Sequence, residues 1–206
     1  ARSMLYRSYL MSGLLILALF ATAQYRGWSV FAASEAKTPP GTARGVYQNR
    51  IIVLHAHPHG QRSITNRRLI EAIADLPGVA VHDLYERYPD YDIDVQAEQA
   101  AVQAADLIVL QYPTYWYSPP PLLKLWIDTV LAHGWAHGPG GTALAGKHLW
   151  CVTTTGGDRI AYESGGYHGY PYEAFFPPLI QTARLCKMIW LPPRIIYGVP
   201  SLDADA

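Results

Sequence analysis

The chain carries no excess charge of either sign: sixteen basic and sixteen acidic side chains cancel over 206 residues. No run of lysines or arginines breaks that balance, so there is no electrostatic footprint for a phosphate backbone and nothing points to nucleic acid. Cysteine is scarce. Cys151 and Cys186 sit in the apolar runs LWCVTTT and ARLCKMIW without C-x-x-C spacing, which reads as two buried thiols in a reducing compartment rather than a disulfide or a ligand pair. No G-x-G-x-x-G follows a strand, so the sequence holds no dinucleotide-binding turn of the Rossmann kind. H-E-x-x-H is missing as well.

One long hydrophobic run is present. SYLMSGLLILALFATAQY, Ser8 to Tyr25, has no charged residue, and as a helix its eighteen residues would be about 27 Å long, enough to cross the hydrocarbon core of a bilayer. Tyr6, Tyr9, Tyr25 and Trp28 frame it like interface anchors. A cleaved signal peptide is the rival reading, because Arg2 and Arg7 precede the run and Ala21-Thr22-Ala23 has the form of a cleavage site. Residues 1–33 are therefore expected to form a hydrophobic helix, a candidate transmembrane segment, and 34–49, SEAKTPPGTARGVYQN, a polar linker.

From residue 50 the pattern alternates. Strands are expected at Ile51–His55, Val79–Leu84, Leu107–Leu110, His148–Val152 and Arg194–Tyr197, and helices over 63–76, 94–105, 122–132 and 179–190. Five strands and four intervening helices describe a doubly wound α/β domain with a parallel sheet over 50–206.

Three histidines, His55, His57 and His59, stand at alternate positions after the first strand. Such an H-x-H can present two imidazoles to one zinc ion. The barrel that uses it needs eight strand-helix units and about 250 residues. This chain is shorter, and His133, His137, His148 and His168 supply no matching H-x-H, so no metal is assigned. The loop's other reading is an anion cradle: it ends in Ser63-Ile64-Thr65-Asn66 at a helix start, where backbone N–H groups and the helix dipole favour a phosphate. Ser63 acting only as a helix cap fits those residues equally well.

Two further loops leave the carboxyl ends of strands, where open α/β sheets bind ligands. In QYPTYWYSPPPLLKLWID, Tyr115, Trp116 and Tyr117 fill a proline-bounded loop, more aromatic surface than a solvated loop carries unless it covers something flat. Thr153-Thr154-Thr155-Gly156-Gly157 brings glycines that let backbone approach a planar ring.

Residues 51–198 resemble the flavodoxin-fold NAD(P)H dehydrogenase (quinone) family, and most closely the ancillary flavoproteins of glutathione-regulated potassium-efflux systems. The resemblance is carried by H-P-x5-S-x2-N from His57 to Asn66, DLIVLQYPTYWYSPPPLLKLWID from Asp106, HGWAHGPGGTALAGK from His133, and TTGG from Thr154. It implies a flavodoxin-like five-stranded sheet of order 2-1-3-4-5 that binds FMN rather than FAD. His57, Ser63, Ile64, Thr65 and Asn66 would hold the phosphate, Thr114, Tyr115, Trp116 and Tyr117 would line the ring, and Thr154, Thr155, Gly156 and Gly157 would meet its polar edge. His55 would end the strand and His59 lie in the loop. At the offsets where the quinone reductases place substrate-facing residues stand Tyr162 and His168, the expected catalytic pair; their alternative is a tyrosine-rich loop that packs on a second subunit.

The implied activity is two-electron transfer from NAD(P)H through the flavin to a quinone or other electrophilic acceptor, in a homodimer. A regulatory subunit that activates a potassium-efflux transporter is the second reading. A one-electron carrier of flavodoxin type is the third, and the neutral charge argues against it, since flavodoxins are usually strongly acidic. Two departures stand out: the chain ends soon after the fifth strand, so the domain is expected to lack its last helix, and the hydrophobic N-terminus is foreign to the family. Because NAD(P)H is a cytosolic reductant, the expected placement is the inner membrane with the flavin domain facing the cytoplasm. Arg26, Lys37, Arg44 and Arg50 slightly outnumbering Arg2 and Arg7 agrees with that orientation.

Overall fold

A computed structural model describes residues 50–204; the expected hydrophobic helix, the cleavage-site alternative and the linker lie outside the described residues. Among the described residues no helix is long and apolar enough to cross a membrane. Five strands in the order β2-β1-β3-β4-β5, with a sixth beside β4, form one parallel sheet. Its strands are β1 (Ile51–His55), β2 (Val79–Asp83), β3 (Leu107–Pro113), β4 (His148–Thr154), β5 (Ile189–Trp190) and β6 (Arg194–Ile196). The helices are α1 (Ile64–Ala74), α2 (Leu84–Arg87), α3 (Val95–Ala104), α4 (Pro121–Val130), α5 (Pro177–Leu185) and α6 (Val199–Ala204).

The central strands are continuous apolar runs because both faces are covered. Alternate residues go to opposite faces. Ile52, Leu54, Ile108, Leu110, Leu149 and Cys151 pack with Val102 of α3, Leu122, Leu123 and Trp126 of α4 and Leu179 of α5. Ile51, Val53, Leu107, Val109, Trp150 and Val152 pack with Ile73 of α1. On the α1 face a polar residue follows the apolar row in each of these strands: Asp83, His55, Gln111 and Thr154 follow Val81, Val53, Val109 and Val152 at the two-residue period. The fold thereby lines up four polar side chains along the carboxyl edge.

Helix starts are marked locally. The side chains of Ser63, Asp83 and Asp94 accept from backbone N–H groups one turn on, and Pro121 and Pro177 occupy first helical positions where no N–H is needed. Both cysteines are free and buried.

Two expectations need correction. The run expected as a helix over 179–190 is helical only to Leu185, and Ile189–Trp190 is strand. The apolar residues continue, but Lys187 takes φ 58°, its N–H reaches Arg184 O and the N–H of Met188 reaches Ala183 O, a Schellman stop that turns the chain into the sheet. The fifth strand is thus two pieces: β5 pairs with the start of β4 and β6 with its end. Pro192 and Pro193 between them cannot donate to the ladder. Second, a helix does follow the last strand: α6, six residues long, lies beside α1.

Residue Glu98 of α3 is 0% exposed. It accepts from Tyr88 Oη at 2.8 Å, Trp126 Nε1 at 2.9 Å and His82 Nδ1 at 3.1 Å, and Arg87 Nε lies at 3.3 Å. One carboxylate therefore ties β2, α3 and α4 to the segment at α2. Burial pushes its pKa up, but the donors His82, Trp126 and Tyr88 outweigh that, and the net direction is downward. A depressed folded pKa gives stability that is complete above the ordinary carboxylate range and lost as pH falls through the folded value. Glu98→Ala strands several buried donors, and urea unfolding at neutral pH is expected to show a loss on the order of 3–5 kcal/mol.

Candidate functional site

Three loops leave the carboxyl ends of β1, β3 and β4, and hydrogen bonds between distant residues join them. The first runs through a 3-10 turn at Gly60–Arg62 to the N-cap Ser63. Ser63 Oγ accepts twice from Asn66, from the backbone N–H at 3.3 Å and from Nδ2 at 2.9 Å. Asn66 Oδ1 in turn accepts from Gln111 Nε2 at 2.7 Å and Thr154 Oγ1 at 3.2 Å. Asn66 is 1% exposed, so its carboxamide faces inward and ties the start of α1 to β3 and β4. Gln111 Oε1 pairs with Nδ1 of the buried His55, whose Nε2 lies 3.8 Å from Asp83 Oδ2.

Of the alternating histidines, only His57 and His59 stand in the loop, and they differ in exposure. His57 Nδ1 accepts from the backbone N–H of His59 at 3.0 Å, so in the neutral ring the hydrogen sits on Nε2. Burial lowers the His57 pKa to about 4, with His55 and His59 adding to the effect. His57 is thus a neutral donor and not a cation at physiological pH. Thr65 is buried in the first turn of α1 and Ile64 half-buried. This is a helix start of the kind that leaves backbone N–H groups without intrahelical partners. Among the described residues no group of three or more His, Cys, Asp or Glu is placed to hold a metal ion.

The second loop is a two-residue hairpin. Tyr115 and Ser118 exchange both backbone hydrogen bonds, at 2.9 and 3.0 Å, and between them Trp116 and Tyr117 take φ 47° and 65°. That both-positive pattern normally falls to Asn-Gly or Gly-Gly, and each L residue there costs roughly 1–2 kcal/mol. Trp116 is 90% exposed, while Tyr117 packs on Phe175 with ring centroids 4.8 Å apart. Thr114 at the base joins Thr153 Oγ1 at 3.0 Å and also bonds the buried Tyr172 hydroxyl.

The third loop follows β4. Thr154 faces Asn66, and the N–H of Thr155 is taken by Ile196 O, so the backbone donors this loop can offer a bound group are those of Gly156 and Gly157, not Thr155. A Cβ on Gly157 would lie 2.8 Å from His168 Nε2 and 2.9 Å from Tyr162 Cε2, which requires glycine there. Tyr162 and His168, the expected catalytic pair, lie stacked on each other at 4.0 Å and 17°. They are not equivalent. Tyr162 is 5% exposed and its hydroxyl bonds Thr155 Oγ1 at 2.7 Å, so it is a packed support. Burial raises its pKa, which keeps the phenol protonated. His168 instead reaches Tyr117 Oη through Nδ1 at 3.2 Å, bridging the second and third loops.

Reading the sequence missed Gln111 and the role of His55. The signal available was the two-residue period, which puts both on the α1 face one step above Val109 and Val53.

A family model described as a flavodoxin-like fold matches residues 49–206. The glutathione-regulated potassium-efflux system ancillary protein KefF of Klebsiella pneumoniae (strain 342) is 51% identical over 147 residues, 71% of this chain and 82% of its own length. Among solved structures, one described as a thermophilic tryptophan halogenase from S. violaceusniger matches with TM-score 0.70 and 41% identity over 72% of this chain and 86% of the other. General stress protein 14 of Treponema denticola, in complex with FMN, matches with TM-score 0.68 and 31% identity over 76% and 90%. An NADPH-quinone reductase from P. pentosaceus matches with TM-score 0.69 and 33% identity over 76% and 89%.

A titration of the ring protons by NMR checks the electrostatic account of the first loop. His57 is expected to protonate near pH 4, well below the ordinary histidine value of about 6.5. The unfolded chain takes that proton first, so the His57 contribution to stability is expected to be complete above about pH 6.5 and to fall steadily toward pH 4.

Proposed function

Because the chain belongs to the flavodoxin-like family, we propose that its three loops hold flavin mononucleotide and that it is an FMN-dependent oxidoreductase passing two electrons from NAD(P)H to a quinone. The relatives are described variously as ancillary protein, halogenase, stress protein and reductase, and a shared fold does not choose among such activities. The site has to choose. The observation that carries the reading is the aromatic turn: Trp116 and Tyr117 are held at positive φ, and Trp116 is turned out to solvent at the carboxyl edge of the sheet. Strain of that kind persists where it serves a site. A flat, partly apolar surface beside a helix-start anion cradle fits a ring that carries a phosphate tail.

The donor set fits such a group. Ser63 and the first turn of α1 supply neutral donors with the favourable end of the helix dipole, and His57 adds Nε2–H without a charge. Tyr115, Trp116 and Tyr117 would flank the ring, and the N–H groups of Gly156 and Gly157 would face its polar edge as hydrogen-bond donors. When bound, the flavin supplies the hydride chemistry. The chain's part is positioning and proton handling. Tyr162 fixes the plane of His168 by stacking, and the Tyr117 Oη to His168 Nδ1 pair holds a proton at the half-exposed rim where an acceptor oxygen would arrive.

A second reading is favoured by one observation, the 51% identity to a potassium-efflux ancillary protein. In that reading the domain also binds and activates an efflux transporter, and co-purification with the transporter tests it. The placement we propose, with the flavin domain on the cytoplasmic side of the inner membrane, predicts that protease cuts near Pro39-Pro40 from that side alone in oriented vesicles. Cutting from the outer side would overturn either the topology or the use of a cytosolic reductant.

Stoichiometric FMN released from the purified chain is the direct test of the main reading. His168→Ala is expected to keep flavin content while slowing quinone reduction by roughly 10²-fold. Stopped-flow measurement of the two half-reactions separates them, and unchanged rates in both would return His168 to loop packing.

A further inference from the structure

The anion cradle contains a hydroxyl whose direction is set from two strands away. Ser63 Oγ has two acceptor lone pairs and one O–H, and both lone pairs are directed at Asn66, which donates its backbone N–H and its Nδ2–H. What remains to Ser63 is its hydrogen. The carboxamide of Asn66 takes that orientation because its Oδ1 is the meeting point of two donors, Gln111 Nε2 and Thr154 Oγ1. Gln111 can point Nε2 at Asn66 because its Oε1 is engaged by Nδ1–H of His55, the residue paired with it in register across β1 and β3. Gln111 lies outside the cradle, reaches Ser63 only through Asn66, and is 3% exposed.

We propose that Gln111 is a positioning residue that, through Asn66, makes Ser63 an obligate hydrogen-bond donor and so selects the acceptor-only, phosphorylated end of the flavin over an uncharged hydroxyl end. The inference rests on the flavin reading above. A hydroxyl group could pair with a Ser63 that is free to donate or accept. A phosphate oxygen can only accept, so it gains from a serine that can only donate. Reversing the chain, with Gln111 donating to His55 and accepting from Asn66 Nδ2, would turn Asn66 Oδ1 toward Ser63 and draw the serine hydrogen inward, away from the ligand.

The two arrangements respond oppositely to isosteric substitution. Gln111→Glu cannot donate to Asn66 Oδ1; Asn66 then turns its Nδ2 toward the new carboxylate and its Oδ1 toward Ser63. Asn66→Asp also places an acceptor against Ser63. In the reversed chain neither change would alter what Ser63 offers. The experiment is titration of the full chain, freed of flavin, with FMN and with riboflavin, read by flavin fluorescence. The ratio of the two affinities cancels losses at the ring and losses from general loosening of the fold. The wild-type ratio is expected to fall roughly tenfold to a hundredfold in Ser63→Ala, the loss of one hydrogen bond to a charged group. Gln111→Glu and Asn66→Asp are each expected to match it, and neither is expected to lower the ratio further when combined with Ser63→Ala. If one variant fails to fold, the other decides. A wild-type ratio retained in the folded variants overturns the role of Gln111 and leaves the flavin reading standing; a wild-type chain that binds neither flavin overturns the reading itself.

Discussion

The carboxamide of Asn66 is the constraint on which the site depends. It sits where a helix start, the end of β3 and the end of β4 converge, and it uses both its nitrogen and its oxygen to join them. A buried polar group is costly without partners and rigid with them. Here the partners lie on different elements, so satisfying one amide sets the relative placement of the first and third loops. The apolar rows beneath it, from Ile51 and Val53 through Leu107, Val109 and Val152, give the sheet and α1 their stability, and the polar row above them gives the rim its shape.

In the proposed reading the cradle takes an anion without recruiting a formal charge. His57 is held neutral by burial, and the helix start works through oriented dipoles. Fixed neutral donors cost little reorganisation when a ligand arrives, and they leave the site free of a buried cation that would need a partner in the empty state. The buried carboxylate of Glu98 is placed elsewhere, on the side of the sheet occupied by α3 and α4, where donors from three segments surround it. The polar cluster around Glu98 and the one around Asn66 are thus separate.

Strain is concentrated at the second loop. Two aromatic residues occupy dihedral space that suits glycine, and the packing of Tyr117 on Phe175 and its contact with His168 help offset the cost. Glycine stands instead at position 157, where a Cβ would press on Tyr162 and His168. Each residue is used where its size is needed: flat surface at the rim, empty volume behind the stack.

Much of this molecule is legible in its sequence. Apolar runs such as IIVLH and LIVL, the caps Ser63 and Asp94 and the prolines at helix starts are local signals, and they place strands, helices and the three loops at the carboxyl edge. The motifs around Asn66, Tyr115 to Tyr117 and Gly156-Gly157 identify the family for the same reason, since each is a short stretch with its own chemistry. Tertiary structure alone decided the rest. The split of the fifth strand depends on Lys187 adopting a left-handed turn, and Tyr162 becomes a support because its hydroxyl finds Thr155. The pairing of Gln111 with Asn66 spans 45 residues and that of Thr154 with Asn66 spans 88. A two-residue period tells which face a side chain takes. It does not tell which strands are neighbours, and a hydrogen bond exists only once that order brings donor and acceptor within about 3 Å.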